Sequence, residues 1–401
     1  LGEVLSSFLV TRRPVFDRGL ELTAYELLVG GEDGEPGGAD TADAVSSLVL
    51  DVASEGEIAS ILGEHPAWLT LSVPVARQAA AVGVGKQRTT IELRTGGREP
   101  DEVRGTIAGL RARGHAVAID TDADANGSTA DLLKEADIAA VDVTGMDSTQ
   151  MEAVVEKLKP ASVKVAASNV DAPERHEEAH AAGFDLFRGE FFKKPRSRAG
   201  GGLAPSRLAM VRLLAALHDP DIEMSALANL LSQDVGLTYR LLRYINSAFF
   251  GLRREVTSIS HGLALLGLRN IKRWATVMML ADVDHRPREL LTTALVRARF
   301  CELAGPYFRE SNGDELFTLG LFSVLDALLD TPMTKALRPL PLSEEMVGAL
   351  TLRSGTQGKL LACALSAERG ERCQGAPVGG DEFAELYRDS LEWASESSRA
   401  L

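Results

Sequence analysis

Cysteine is scarce in this chain: Cys301, Cys363 and Cys373 are the only three among 401 residues. None falls in a C-x-x-C pair and none sits near clustered histidines. Neither a metal site nor a disulfide framework is indicated, and the thiols read as buried or incidental. Long apolar runs are missing too, since no stretch reaches the ~18–20 residues that a membrane-spanning helix needs. Residues 1–10 lack the basic start of a secretory signal, and the chain opens on Leu1 rather than Met. A cytoplasmic location is therefore expected. Positive charge is also in deficit, with a formal net charge of −14. The deficit sits in residues 1–196, where 20 Lys/Arg face 33 Asp/Glu, while residues 197–401 hold 23 against 24. Nonspecific nucleic-acid binding is thereby disfavoured, because phosphate contacts need cations.

What is present falls into two contrasting halves. Residues 8–19 read as a strand ended by Pro14 and an Asp17–Gly19 turn, and residues 20–29 as a second strand. Alternation in that second strand places Leu22, Ala24, Glu26 and Leu28 on one face. A carboxylate among apolar neighbours is either a mouth-facing functional group or a residue near a strand end. A Gly/Glu/Asp-rich loop over 30–38 and helical spacing over 41–62 follow. Strands are expected at 68–73, 89–93, 115–120, 138–143 and 163–167, separated by helical patterns, two of them opened by Pro100 and Pro173. Strands alternating with helices point to a parallel sheet. The acidic residues just past strand ends match the place where (β/α)-barrel sites lie. Some 190 residues fall short of the ~250 of a full barrel, so either helices are trimmed or the barrel is incomplete.

Residues 197–205, rich in glycine, read as a flexible linker. Beyond it apolar residues recur at helical spacing over 207–217, 224–231, 237–247, 260–268, 270–280, 288–305, 314–329, 343–350 and 360–368. One more amphipathic helix is expected at 381–395. The fold class is thus α/β plus all-α: a shortened TIM-type (β/α) barrel over 1–196, a linker, a helical bundle over 206–371, and a C-terminal extension over 372–401.

Two residue sets carry a family resemblance. Tyr25-Glu26-Leu27-Leu28, with Phe184-Asp185-Leu186-Phe187-Arg188-Gly189-Glu190-Phe191-Phe192 closing the first half, resembles the EAL-domain cyclic-di-GMP phosphodiesterases. Residues 237–248, 259–268 with Leu266-Gly267, and 320–333 resemble the HDOD domain in the form found when both domains share a chain. An active EAL domain is implied to hold two divalent metals through carboxylates, an Asn and a Gln, with a Lys near the attacking water. Two dications ~4 Å apart repel by on the order of 16 kcal/mol at an effective dielectric of ~20, so ligand charge must offset them.

On that resemblance Glu26 matches the family's motif glutamate, Glu92 a metal-binding glutamate and Asp120 the first of a paired aspartate. Thr70 stands at the Asn position, Thr121 at a second aspartate, Ala140 at the lysine, Ser168 at a glutamate and Arg188 at the Gln. Asp122 or Asp124 could replace the lost aspartate by a local shift, but nothing replaces the lysine. The resemblance therefore implies a degenerate EAL domain with no metal, no cofactor and no catalytic residues. The helical half is similar in layout to the HD hydrolases, which need adjacent His-Asp on a helix. Among His218, His261 and His285 only His218 precedes an aspartate, and Asp219-Pro220 reads as a helix stop.

Arg240, Arg243, Arg253, Arg254, Arg269, Lys272 and Arg273 lie close in sequence, interleaved with Tyr239, Tyr244, Phe249, Phe250 and Trp274. They read either as a solvated face or as a docking patch for an acidic partner or for the acidic first half. Three functions follow from the resemblance. The first is an inactive bacterial signalling scaffold in motility, biofilm or developmental control, acting through protein partners by way of the HDOD half, or as a homodimer. The second is a nucleotide receptor that does not hydrolyse, and the third a residual phosphodiesterase.

Overall fold

The structure is a computed structural model. It describes residues 9–30, 46–47, 49–50, 61–82, 89–96, 98–121, 128–196, 205–219, 221–247, 250–251, 256–281, 283 and 286–400. Residues 31–38 of the expected loop, most of the 41–62 helix, Asp122, Asp124, the 197–204 linker residues, Phe249, Arg253, Arg254 and His285 lie outside them. The chain divides into two compact units, Leu1–Phe192 with Ala367–Arg372, and Lys193–Ser366 with Cys373–Leu401.

The first unit is a closed barrel in the order β1 to β8. Strand β1 (Leu9–Asp17) runs antiparallel to both neighbours, β2 (Leu22–Gly30) and β8 (Leu186–Arg188). The strands β3 (Ala67–Ser72), β4 (Thr90–Arg94), β5 (Ala116–Thr121), β6 (Ile138–Asp142) and β7 (Lys164–Ser168) continue parallel from β2 round to β8. The barrel is therefore complete, and the expectation left open by its length resolves to short strands and short helices rather than a missing strand. Among its helices, Pro100–Ala112 and Pro173–Ala182 start on a proline, as the sequence indicated. Ser148–Leu158 is capped reciprocally by Asp147 and Gln150.

Val15, Ala24, Trp68, Ala118, Ile138, Ala166 and Leu186 form one buried cluster in the barrel. Side chains of a strand return to the same face every second residue. Glu26, Thr70, Asp120, Ala140, Ser168 and Arg188 each stand two positions beyond a member of that cluster. They rise on the C-terminal end of the sheet, where sites of (β/α) barrels form. At the other closure, Phe16 meets Phe191 and Phe192 edge to face at 5.7 and 5.1 Å, and His176 stacks on Phe191 at 4.4 Å. Such ring pairs add about 0.5–1.5 kcal/mol each beyond the area they bury.

The second unit is helical, as expected. A central helix, Arg288–Ala304, is buried over most of its length and packs on Gly313–Phe322 and Gly380–Ala400. Gly320 permits the first approach, because a Cβ there would come 2.4 Å from the Ala298 nitrogen. The C-terminal helix is part of this unit rather than an appendage: Phe383 and Tyr387 meet Phe300 at 5.3 and 6.1 Å, and Trp393 meets Trp274 and Phe317 at 5.9 Å each. The helix expected over 314–329 is two, Gly313–Phe322 and Leu325–Leu329. Ser323 Oγ donates back to the Gly320 carbonyl and accepts from buried Arg297, which competes with continuation of the helix. Ile259–Ala281 breaks at Gly267, whose φ of 80° divides the two helices that the sequence indicated. The thiol reading needs correction: Cys363 and Cys373 form a disulfide, and only Cys301 is a buried free thiol. The pair lies at a sequence separation of 10, and the chain reversal after Gly355–Glu368 brings their Cα atoms to 4.9 Å. No spacing motif could have signalled it, because fold geometry made the pair.

Candidate functional site

Arg188 ends β8 and is buried in the barrel at 3% exposure. The residue after it fixes its place. A Cβ on Gly189 would fall 2.1 Å from the Val170 carbonyl oxygen, so only glycine admits the neighbouring loop. That loop clamps the strand end, with Val170 N donating to Arg188 O at 2.9 Å and Phe191 N donating to Val170 O at 3.1 Å.

The guanidinium gathers two carboxylates around itself. Arg188 Nη1 donates to Glu92 Oε2 at 2.6 Å and to Glu26 Oε1 at 3.1 Å, and Nη2 donates to Ser168 Oγ at 2.5 Å. The Trp68 ring lies 4.7 Å from the Arg188 carbon, and its Nε1 donates to Glu92 Oε2 at 2.6 Å. Thr70 Oγ1 and Arg13 Nη1 each reach Glu26 at 3.4 Å. Burial opposes the Arg188 charge, but Glu92, Glu26 and Asp120 together hold its pKa above the ordinary arginine value. It stays a cation at every physiological pH.

The structure thus brings Glu26, Glu92, Thr70, Ser168 and Arg188 into direct contact. Asp120 faces Ala140 across the β5–β6 ladder, at the exposed rim, while Thr121 and Ala140 are buried. Two participants escaped sequence reasoning. Trp68 is one, and its signal is an indole on a strand face shared with the site. Asp142, at the end of β6 beside Ser168 in register, is the other. Burial pushes the Asp142 carboxyl up, yet hydrogen bonds from Thr144 and Asn169 and the charge of Arg188 hold it below its usual value.

A pair of divalent cations does not fit these residues. The two buried carboxylates already balance two guanidinium groups, Arg188 and Arg13. Neither carboxylate is left open as a metal ligand, and Thr70, Ala140 and Arg188 stand where the resemblance implies an Asn, a Lys and a Gln. Among the described residues no group of three or more His, Cys, Asp and Glu is placed to hold a metal ion.

In the helical unit, His218 follows the helix Pro205–Leu217 as a turn residue and joins no metal cluster among the described residues. Its Nε2 lies 3.0 Å from Thr276 Oγ1. Burial, helped by nearby Lys272, lowers its pKa to about 4. His261 is exposed in the first turn of Ile259–Ala281. The basic cluster is divided. Arg240 and Arg243 lie on Val235–Ile245, the former half-buried and the latter exposed. Arg269 pairs with Asp314 at 2.9 Å, and Lys272 donates to the Asp219 carbonyl at 3.0 Å. Arg273 grips Glu302 with two bonds of 2.8 Å and lies 3.4 Å over the Phe317 ring. Of the interleaved aromatics, Tyr244 and Trp274 are core, Tyr244 meeting Phe250 and Trp274 at 5.5 and 4.5 Å, while Tyr239 is exposed.

Comparison with known proteins agrees with the division into two units. Residues 204–329 match the HDOD domain family, so the helical unit carries an HDOD domain. The chain is 23% identical over 398 residues to protein YuxH of Bacillus subtilis (strain 168), covering 96% of this chain and 97% of that one. It is 27% identical over 280 residues to the cyclic di-GMP phosphodiesterase CdgJ of Vibrio cholerae serotype O1, covering 69% of this chain and 65% of CdgJ. Among solved structures, the EAL domain protein of Listeria monocytogenes EGD-e aligns with 47% of this chain and 87% of its own, at 18% identity and a TM-score of 0.37. No helix among the described residues is long and apolar enough to cross a membrane.

Proposed function

We propose that this chain is a catalytically inactive EAL–HDOD signalling protein that works in cyclic-di-GMP-linked regulation through contacts with other proteins. One observation carries the reading: the Arg188 guanidinium bonds both Glu26 and Glu92, the carboxylates that a metal pair would need. Phosphodiester hydrolysis by two metals requires a cation to activate water and another to stabilise the departing oxygen. Arginine supplies positive charge there but has no open coordination position and no proton to give up near neutral pH. The expected result is no turnover of cyclic-di-GMP by the purified chain with Mg²⁺ or Mn²⁺. Metal-dependent turnover that Glu26→Ala abolishes would overturn the proposal.

The likeness to CdgJ, named a phosphodiesterase, favours a second reading in which the barrel still binds the dinucleotide. Against it stand the exposed rim carboxylates Asp120 and Asp142, which repel phosphate. Calorimetry with cyclic-di-GMP at tens of micromolar separates the two readings, and a saturable heat would support a receptor.

A further inference from the structure

The helical unit contains a cavity of about 340 Å³. Its walls come from His218, from the second half of Ile259–Ala281, from the start of Gly313–Phe322, and from the segment leading into Glu344–Leu352. That volume sits at the lower end of the ~300–1,000 Å³ typical of small-molecule pockets. It lies in the HDOD-bearing unit and owes nothing to the barrel site.

Most polar groups on its walls already have partners. Of the three cations, Arg273 is held by Glu302 and Arg269 by Asp314. Glu315 accepts from Gln357, Asn312 and Ser343 at 3.2, 3.2 and 3.4 Å. Thr318 donates to the Asp314 carbonyl at 2.9 Å, and Thr276 to the Lys272 carbonyl at 2.8 Å. Because Thr276 has directed its proton there, it accepts from His218, which fixes His218 as the neutral tautomer with its proton on Nε2. His218 therefore brings no charge to the cavity.

Lys272 is the exception. Its ammonium meets a main-chain carbonyl of Asp219, and among the described residues no carboxylate lies within ion-pair distance. Two of its three protons remain uncommitted. Burial depresses its pKa, with the charge of Asp219 opposing; an anion seated in the cavity would oppose that depression further. Phe317, Leu321, Leu342 and Met346 supply the apolar part of the lining. The uncommitted protons of Lys272 beside an apolar wall select a molecule with one negative head and an apolar body, and Glu315, whose partners are all neutral donors, confines that head to the Lys272 side. Both guanidinium forks, the groups that best match phosphate oxygens, are engaged elsewhere.

We propose that this cavity is a binding site for a small organic carboxylate with an aliphatic or aryl body, its head on Lys272 and its body against Phe317, Leu321 and Met346. The experiment is calorimetry on the full chain with octanoate, benzoate, phenyl phosphate and benzylamine as probes. Octanoate or benzoate should bind saturably, and Lys272→Met should weaken binding roughly tenfold or more, the worth of a charged hydrogen bond. Met346→Trp, which fills the cavity without touching the cation, should weaken binding as well, with helical circular dichroism retained in both variants. Absence of carboxylate binding, equal affinity in Lys272→Met, or binding of benzylamine as tight as benzoate would each overturn the proposal. Tighter binding of phenyl phosphate than of benzoate would overturn the assignment of the head group.

Discussion

The Arg188 guanidinium donates at 2.6 Å to Glu92, a residue 96 positions earlier in the chain, while the same nitrogen reaches Glu26 across 162 positions. A charge that closes one end of the barrel sequence is thereby neutralised by carboxylates from its beginning and middle. Truncating that cation by Arg188→Met leaves buried Glu92 without a cation and Glu26 with only the part-exposed Arg13 at 3.4 Å, and breaking a buried pair from one side costs about 3–5 kcal/mol. The loss should appear in urea unfolding of the barrel. Adding Glu26→Gln and Glu92→Gln to Arg188→Met should recover most of it, because all three buried charges are then gone together. A triple variant no more stable than the single one would contradict this account.

His218 gives the helical unit a stability that depends on acidity. In the folded chain it titrates near pH 4, against 6.5 when unfolded. Above pH 6.5 neither state binds the proton, and the contribution is flat. As pH falls from 6.5 toward 4 the unfolded chain takes a proton that the folded one refuses, so stability declines, by up to roughly 3 kcal/mol. His218→Gln can still donate to Thr276 but does not titrate. Its thermal midpoint should fall less than that of the parent chain between pH 7 and pH 4.5.

Arg269 and Arg273 sit four residues apart and should behave in opposite ways. Arg269 is 84% exposed at its side chain, and its pair with Asp314 is screened by solvent, so Arg269→Ala should change stability by no more than about 0.5 kcal/mol. Arg273 is 15% exposed and bonded twice to Glu302, whose carboxyl is pushed up by burial and held below its usual value by Arg273 and Arg299. Arg273→Met should cost about 3 kcal/mol in urea unfolding. A partner-docking role for these positions is best tested at Arg269, where charge reversal leaves the core intact.

The Cys363–Cys373 bridge closes a short loop, with a sequence separation of 10. Chain-entropy arguments give a loop of that length about 3 kcal/mol of stabilisation. Dithiothreitol should lower the thermal midpoint of the helical unit. Cys373→Ser should lower it by a similar amount and make it insensitive to the reductant.

Periodicity alone was enough to separate strand–helix alternation from helix-only spacing, and with it the α/β first half and the all-α second half. Pro100 and Pro173 marked helix starts correctly because their constraint is local to the backbone. A break between the 260–268 and 270–280 patterns was expected, and the structure places it at Gly267, two residues earlier than the gap between them. The division of 314–329 at Ser323 was not legible, since the competing acceptor and the Arg297 donor come from the fold. Alternation placed Glu26 on an apolar face, whereas Glu92 and Arg188 were named as site positions only through the family resemblance.

Sequence by itself determined which side chains share a strand face and which chemical groups are present or replaced, because those facts depend on residue type and on a period of two. Only the tertiary structure decided whether the barrel closes, that Arg188 lies between Glu26 and Glu92, that Trp68 and Asp142 join that site, and that two cysteines form a bond. Each of these depends on distances between residues remote in the chain. Strand order, shear and helix packing set such distances, and no local pattern encodes them.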